Sequence, residues 1–366
     1  MNPAVWRLYG AVGTALAAVG ILLALPTPPT AAPANAATPL TLAQAWPGTR
    51  TIDLSATLPD GSTLAPAAVL DARTVIVQLT SADTNTTSLA ALSTADPTHP
   101  RVLQRMAVGD GASFNGVTVA GADVYWMASI PDGTGGSHST LYRAGITTAN
   151  PVKVTDDTGQ ATFSASQYDL QVVAGRAYWT ATHGIAPYTN EIRSVAVDGG
   201  PVEVRPLDDA SQLTAWPWTV SPFVADQPVT ELNLDSGARR TIAPKPGEEL
   251  YCGPVWCRGV VSGPTTSVIT DRHADGTGTE TRINHDGEGI AFVDVAALDR
   301  FEMLAAPIST QAATASERFA MYDLKTRQHI ALAVSTAEGT VGGWLWWATG
   351  DNETLTWHLL NLTTLH

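Results

Sequence analysis

The 366-residue chain is poor in several things at once. Cysteine occurs only at Cys252 and Cys257, which excludes a disulfide-knit miniprotein and a four-cysteine zinc module. Lysine occurs only at Lys153, Lys245 and Lys325, against 17 arginines that form no run, and the formal net charge is −14. Without clustered cations the chain has no surface for a phosphate backbone, so no nucleic-acid partner is expected. Charged residues make up only 15% of the chain. No G-x-S-x-G elbow, Walker loop, G-x-G-x-x-G or H-E-x-x-H is present. No catalytic residue, cofactor or metal ligand is therefore assigned from sequence. Beyond Pro47 a long amphipathic helical pattern is missing as well.

The N-terminus reads as an export address. Arg7 precedes an uncharged run from Leu8 to Leu25, Pro26 ends it, and Ala34-Asn35-Ala36 offers an A-x-A cleavage pattern. Residues 1–36 are read as a signal peptide or, because the run is at the lower edge of a membrane span, an N-terminal anchor through residues 8–25. Both readings place the remainder outside the cytoplasm, secreted or extracytoplasmic. Residues 37–45 are read as a short linker and 46–366 as one domain.

That domain is built from short runs of Val, Thr, Tyr, Trp and Ile bounded by Gly, Asp, Pro and Asn, the mark of many short strands. A strand–turn–strand unit recurs, for example Glu191 to Val204 around Asp198-Gly199-Gly200 and Thr230 to Ala243 around Asp235-Ser236-Gly237. Its starts fall near 89, 141, 192, 232, 268, 320 and 357, a step of about 45 residues and the size of a four-stranded propeller blade. Ahead of three units stands a Gly turn with an aromatic pair: Tyr125-Trp126, Tyr178-Trp179 and Trp346-Trp347. Neighbours on a strand point to opposite faces, so both faces must be covered, as in stacked sheets. The fold expected is all-β, a β-propeller of seven four-stranded blades, with six as the alternative. The last unit lacks a strand that residues 50–57 (Arg50 to Thr57) could supply from the N-terminus.

The Tyr-Trp strands, the C-terminal hairpins and the segment Tyr251-Cys252-Gly253-Pro254-Val255-Trp256-Cys257-Arg258 resemble secreted actinobacterial proteins with a TolB-like β-propeller. The nearest copy of that family's Ser-Pro-Asp-Gly turn is Leu58-Pro59-Asp60-Gly61. The resemblance implies the fold and a binding role in the cell envelope.

Cys252 and Cys257 flank Gly253-Pro254, a spacing that suits a hairpin disulfide; outside the cytoplasm the pair should be oxidised. The loop is short, so its entropic contribution is modest, about 2 kcal/mol. The acid pairs Asp156-Asp157, Asp208-Asp209 and Glu248-Glu249 are placed in solvated inter-blade loops, with a rim of acids around the channel mouth as the functional alternative. Asp271 to Glu280 is read as a polar hairpin turn rather than a calcium loop. Trp216, Trp218, His183, Tyr188 and His138 are the candidate binding residues, on loops 129–139, 181–190 and 210–228. From these readings the chain is expected to be a monomeric, non-catalytic scaffold for a protein or cell-envelope polysaccharide partner. A propeller hydrolase or lyase with acids at the channel mouth is the alternative.

Overall fold

The computed structural model describes residues 38–366 except 134–136, 149, 185–187, 265, 309–315 and 352–353. The expected leader (1–36) and parts of the candidate loops 129–139 and 181–190 lie outside the described residues.

Seven antiparallel sheets follow one another along the chain and close into a seven-bladed β-propeller. The third strands of the blades are Thr86–Ser93, Ser137–Gly145, Thr189–Ala196, Val229–Asn233, Ser267–His273, Glu317–Asp323 and Thr356–Asn361, matching the seven expected starts. The ring is closed by Ile52–Ser55, which pairs with Thr356–Asn361 as the outer strand of blade 7, as the missing strand required. Leu40–Thr41, in the segment read as a linker, adds a parallel strand to Gln328–Ser335 of blade 6. A one-turn helix, Leu42–Ala45, follows with a Thr41/Gln44 capping box.

Each blade interface has its own apolar cluster. The aromatic pairs explain how. Tyr125 packs between blades 2 and 3 while Trp126 packs between blades 1 and 2. Trp346 faces blade 1 and Trp347 faces blade 6. Trp126 and Trp179 are fully buried, and each indole N–H is satisfied, by Gln104 Oε1 at 2.6 Å and Thr158 O at 2.9 Å. Burying side chains of this size stabilises by about 2–3 kcal/mol each, so adjacent blades act as mutual cores. The hairpin glycines Gly199, Gly200 and Gly237 all take positive φ, as their turns demand.

Cys252 and Cys257 stand opposite each other on Glu248–Cys252 and Trp256–Ser262 and are joined in a disulfide. Asp271 to Glu280 is a hairpin end: Asp275 accepts from Thr277, and Glu280 pairs with Lys245. One acid pair departs from expectation. Glu248 and Glu249 lie in the first strand of blade 5, where Glu248 is buried and takes a bidentate pair from Arg272 at 2.6 and 2.8 Å. Gly259 makes the room, since a Cβ there would lie 2.0 Å from Glu248 Oε1. A buried carboxylate needs such a partner, which the doublet pattern does not reveal.

Candidate active site in the central channel

The first strands of the blades line the central channel, and one of them is interrupted. In blade 3, Gln160–Ala161 and Leu170–Val173 both pair with Arg176–His183, but beyond Thr162, whose N–H still reaches Thr180 O at 3.0 Å, residues 163–169 leave the sheet. This segment crosses the channel from blade 3 toward blade 6. Asp294, on the connection ahead of Phe301–Pro307, receives it: Ser166 Oγ donates to Oδ1 at 2.5 Å and Gln167 N–H to Oδ2 at 2.9 Å. The turn is shaped locally. Ser164 N–H donates to Asp169 Oδ2 at 3.0 Å and Ser164 Oγ to Oδ1 at 3.0 Å, while Tyr168 N–H donates to Ser166 Oγ. Ala165 sits at φ +60°, a left-handed conformation held by these bonds.

Asp294 is itself anchored. Buried Arg258 donates to the carbonyls of Phe292 and Asp294 and to Glu302 Oε2, at 3.0 Å from Nε and 2.7 Å from Nη2. Glu302 in turn accepts from Ala296 N–H at 2.7 Å. Asp271 lies buried next to Glu302, and burial followed by that neighbouring charge holds its carboxyl well above the usual range. A guanidinium with every arm engaged thus fixes the stretch that grips the crossing segment.

The segment borders two chambers, and Ser166 lines both. Ser164 and Tyr168 face a cavity of about 230 Å³ shared with blades 4, 5 and 6, walled largely by Leu213, Val220, Phe223, Leu250 and Val293. Phe163, Ala165, Gln167 and Asp169 face a cavity of about 530 Å³ shared with blades 7, 1 and 2. Glu338, which opens the first strand of blade 7, lines the larger cavity with Gln78, Asn115 and Trp346. Trp346 lies against Gly339, where a Cβ would come within 2.6 Å of its ring.

Both acids of the larger chamber are raised above the ordinary carboxylate range. Burial lifts Asp169 to about 6; the Ser164 bonds oppose this and the charge of Asp294 adds to it. Burial lifts Glu338 to about 7, reinforced by Glu317 of blade 6 and opposed by the Ser335 hydroxyl at 3.1 Å from Oε2. Two carboxyls with different values just below and at neutrality can act as a base and an acid at the same pH.

The residues proposed from sequence lie elsewhere. His138, His183 and Tyr188 share an open groove between blades 2 and 3 with Asp156, Glu191 and Arg193. Trp216 and Trp218 are half-buried; Trp216 packs on Tyr178 at 3.8 Å between centroids and Trp218 lies under the Arg240 guanidinium at 4.7 Å. The structure therefore joins three of the five in one groove and uses the two tryptophans in packing. Sequence reasoning missed Asp169, Glu338 and Asp294, which stand singly and far apart in the chain. The one trace of them is the stretch of Phe163 to Asp169, which breaks the strand rhythm of blade 3.

No protein-family model matches the chain. No curated protein matches it either. Among solved structures, it is similar to a puromycin-hydrolysing peptidase of Mycobacterium tuberculosis, with 14% identity over 83% of this chain and 52% of that one and a TM-score of 0.48. It thus spans about half of that peptidase's length. It is also similar to the β-propeller domain of the Trilobed protease of Pyrococcus furiosus, with 9% identity over 68% of this chain and 83% of that one and a TM-score of 0.45. An uncharacterised protein of Listeria monocytogenes EGD-e has 9% identity over 83% of this chain and 93% of that one and a TM-score of 0.46. The expectation of a non-catalytic scaffold is corrected here: the named neighbours include a peptidase and the propeller domain of a protease, which favours the hydrolase alternative. At these scores the likeness concerns the ring of blades alone, and peptidase chemistry stays with those proteins.

Proposed function

We propose that the chain is an acid–base hydrolase whose site is the larger channel chamber and whose substrate is a glycosidic linkage. The observation that carries this is the pair Asp169 and Glu338, raised to about 6 and about 7 in one cavity. Between those values Glu338 is mostly protonated and can give its proton to the departing glycosidic oxygen. Asp169 is mostly ionised over the same interval and can take a proton from the attacking water. Gln78, Asn115 and Gln167 supply polar contacts for sugar hydroxyls, and Trp346 forms an apolar wall. The crossing segment, pinned by Asp294, sets the position of Asp169.

We further propose an exported, TolB-like propeller that acts as a monomer on a cell-envelope polysaccharide. The Cys252–Cys257 disulfide supports the location, because such bonds persist in oxidising compartments.

The test is release of reducing ends from cell-envelope polysaccharides by the purified chain and by Asp169→Asn and Glu338→Gln. Activity in the wild type with a bell-shaped pH profile, and its loss in both folded variants, is the expected result. Equal turnover by all three proteins, or none by the wild type on any envelope polysaccharide, would remove this reading.

A further inference from the structure

A second cluster lies outside the channel, where the connection from blade 5 to blade 6 meets the outer part of blade 6. His285 and Glu288 lie between Thr281–Arg282 and Gly289–Ile290, and His329 is on Gln328–Ser335. The chain separates His329 from the other two, so no short motif marks the group, and sequence alone gave it no role.

The three side chains converge. The imidazoles of His285 and His329 stack at 4.1 Å between centroids. Glu288 Oε2 lies 2.9 Å from His329 Nε2 and accepts from His285 N–H at 2.7 Å. One ligand atom from each residue can be chosen so that all lie within 4.8 Å of one another. The side chains of His329 and Glu288 are only 7% and 11% exposed.

The connection that carries two of them is held rigidly. Asn284 is buried, accepts from Ile269 N–H at 2.9 Å and donates from Nδ2 to Ser267 O at 2.8 Å and Glu288 O at 3.1 Å. Arg282 is turned away to Asp286 at 2.6 Å, so a cation already beside the group has its own partner.

One atom is left over. His329 Nδ1 is buried and has no hydrogen-bond partner among the described residues. It points away across the ring from Nε2, the nitrogen that meets Glu288, so an ion shared with Glu288 would be taken by Nε2. Two imidazoles and a carboxylate are a borderline-soft, anionic set that suits zinc, with a fourth position left for water. Zinc bonds of about 2.0–2.1 Å put tetrahedral ligand atoms roughly 3.3 Å apart, a contraction of about 1.5 Å or less from the present spread.

We infer that His285, Glu288 and His329 form a divalent-metal site, of a donor set that accepts zinc, that clasps the blade 5–blade 6 connection to blade 6. It is independent of the channel site and does not rest on the glycosidase reading. A metal bound there would raise stability by mass action, because the ligands come together only in the folded chain.

The test uses the full chain, stripped with chelator, and titrated with zinc chloride and separately with cobalt(II) chloride. One zinc per chain at micromolar concentration, a raised melting temperature, and a visible cobalt d–d band displaced by zinc are expected. His329→Gln and His285→Ala should each weaken binding by about 100-fold or more, beyond what loss of an outer partner costs. His99→Ala, which removes an exposed histidine on blade 1, should bind like the wild type. His285→Ala is the safeguard should His329→Gln fail to fold, since His285 lies on the connection and His329 within a strand. Binding only at millimolar metal, or equal binding by wild type and His285→Ala, would overturn the assignment.

Discussion

The two chambers of the channel share one wall, the segment from Thr162 to Asp169, yet they differ in chemistry. The smaller one is faced by Leu213, Val220, Phe223, Leu250 and Val293, and its one acid, Asp294, is spent on holding the segment. The larger one is faced by Asp169 and Glu338, whose carboxyls are raised by burial and by the neighbouring acids Asp294 and Glu317. The contrast shows what burial alone cannot do. Asp323 in blade 6 is more deeply buried than either, yet the paired Arg300 at 2.7 Å brings its carboxyl below the ordinary range. Asp169 and Glu338 are raised by enclosure with no guanidinium among the described residues beside them to offset it.

The strongest way to break the contrast is to remove its acids. Asp169→Asn or Glu338→Gln should lower turnover about 100-fold or more while leaving the circular dichroism spectrum unchanged, which steady-state kinetics on the active polysaccharide would show. Next in size is Asp294→Ala. It deletes the acceptor of two hydrogen bonds to the crossing segment, so a stability loss of about 2–3 kcal/mol by urea denaturation is expected, with faster amide exchange across residues 164–169.

The pH dependence comes third. Because the folded chain binds protons at Asp169 and Glu338 more tightly than the unfolded chain, their contribution is fully present below the unfolded value near 4. It is lost as pH rises through about 6 and about 7. Melting temperature measured from pH 4.5 to 8 should carry a falling component that flattens in Glu338→Gln. The smallest effect is expected on the apolar side. Phe223→Ala removes a half-buried ring 5.4 Å from Tyr251 and should cost about 1–2 kcal/mol without moving the pH profile of activity.

Much of the ring could be read from the sequence, because its causes are local or repeated. The hairpins around Gly199-Gly200 and Gly237, the aromatic pairs that need two covered faces, the Cys252–Cys257 spacing and the spare strand at 52–55 each speak for themselves. The candidate site could not be read in that way. Asp169 and Glu338 come from blades 3 and 7, and only closure of the ring puts them in one chamber. The acid doublets drew attention instead, and one of their members, Glu248, proves to be neutralised by Arg272. His285, Glu288 and His329 were hidden for the same reason, since blade 6 brings its outer strand back beside its own entry.

The central claim is that two carboxyls in one chamber titrate near neutrality. Carbon-13 NMR of the labelled side-chain carboxyls follows them directly, with Asp169→Asn and Glu338→Gln providing the assignments. Midpoints of about 6 for Asp169 and about 7 for Glu338 are the predicted result. Midpoints for both near 4, the range of ordinary exposed carboxylates, would contradict the account.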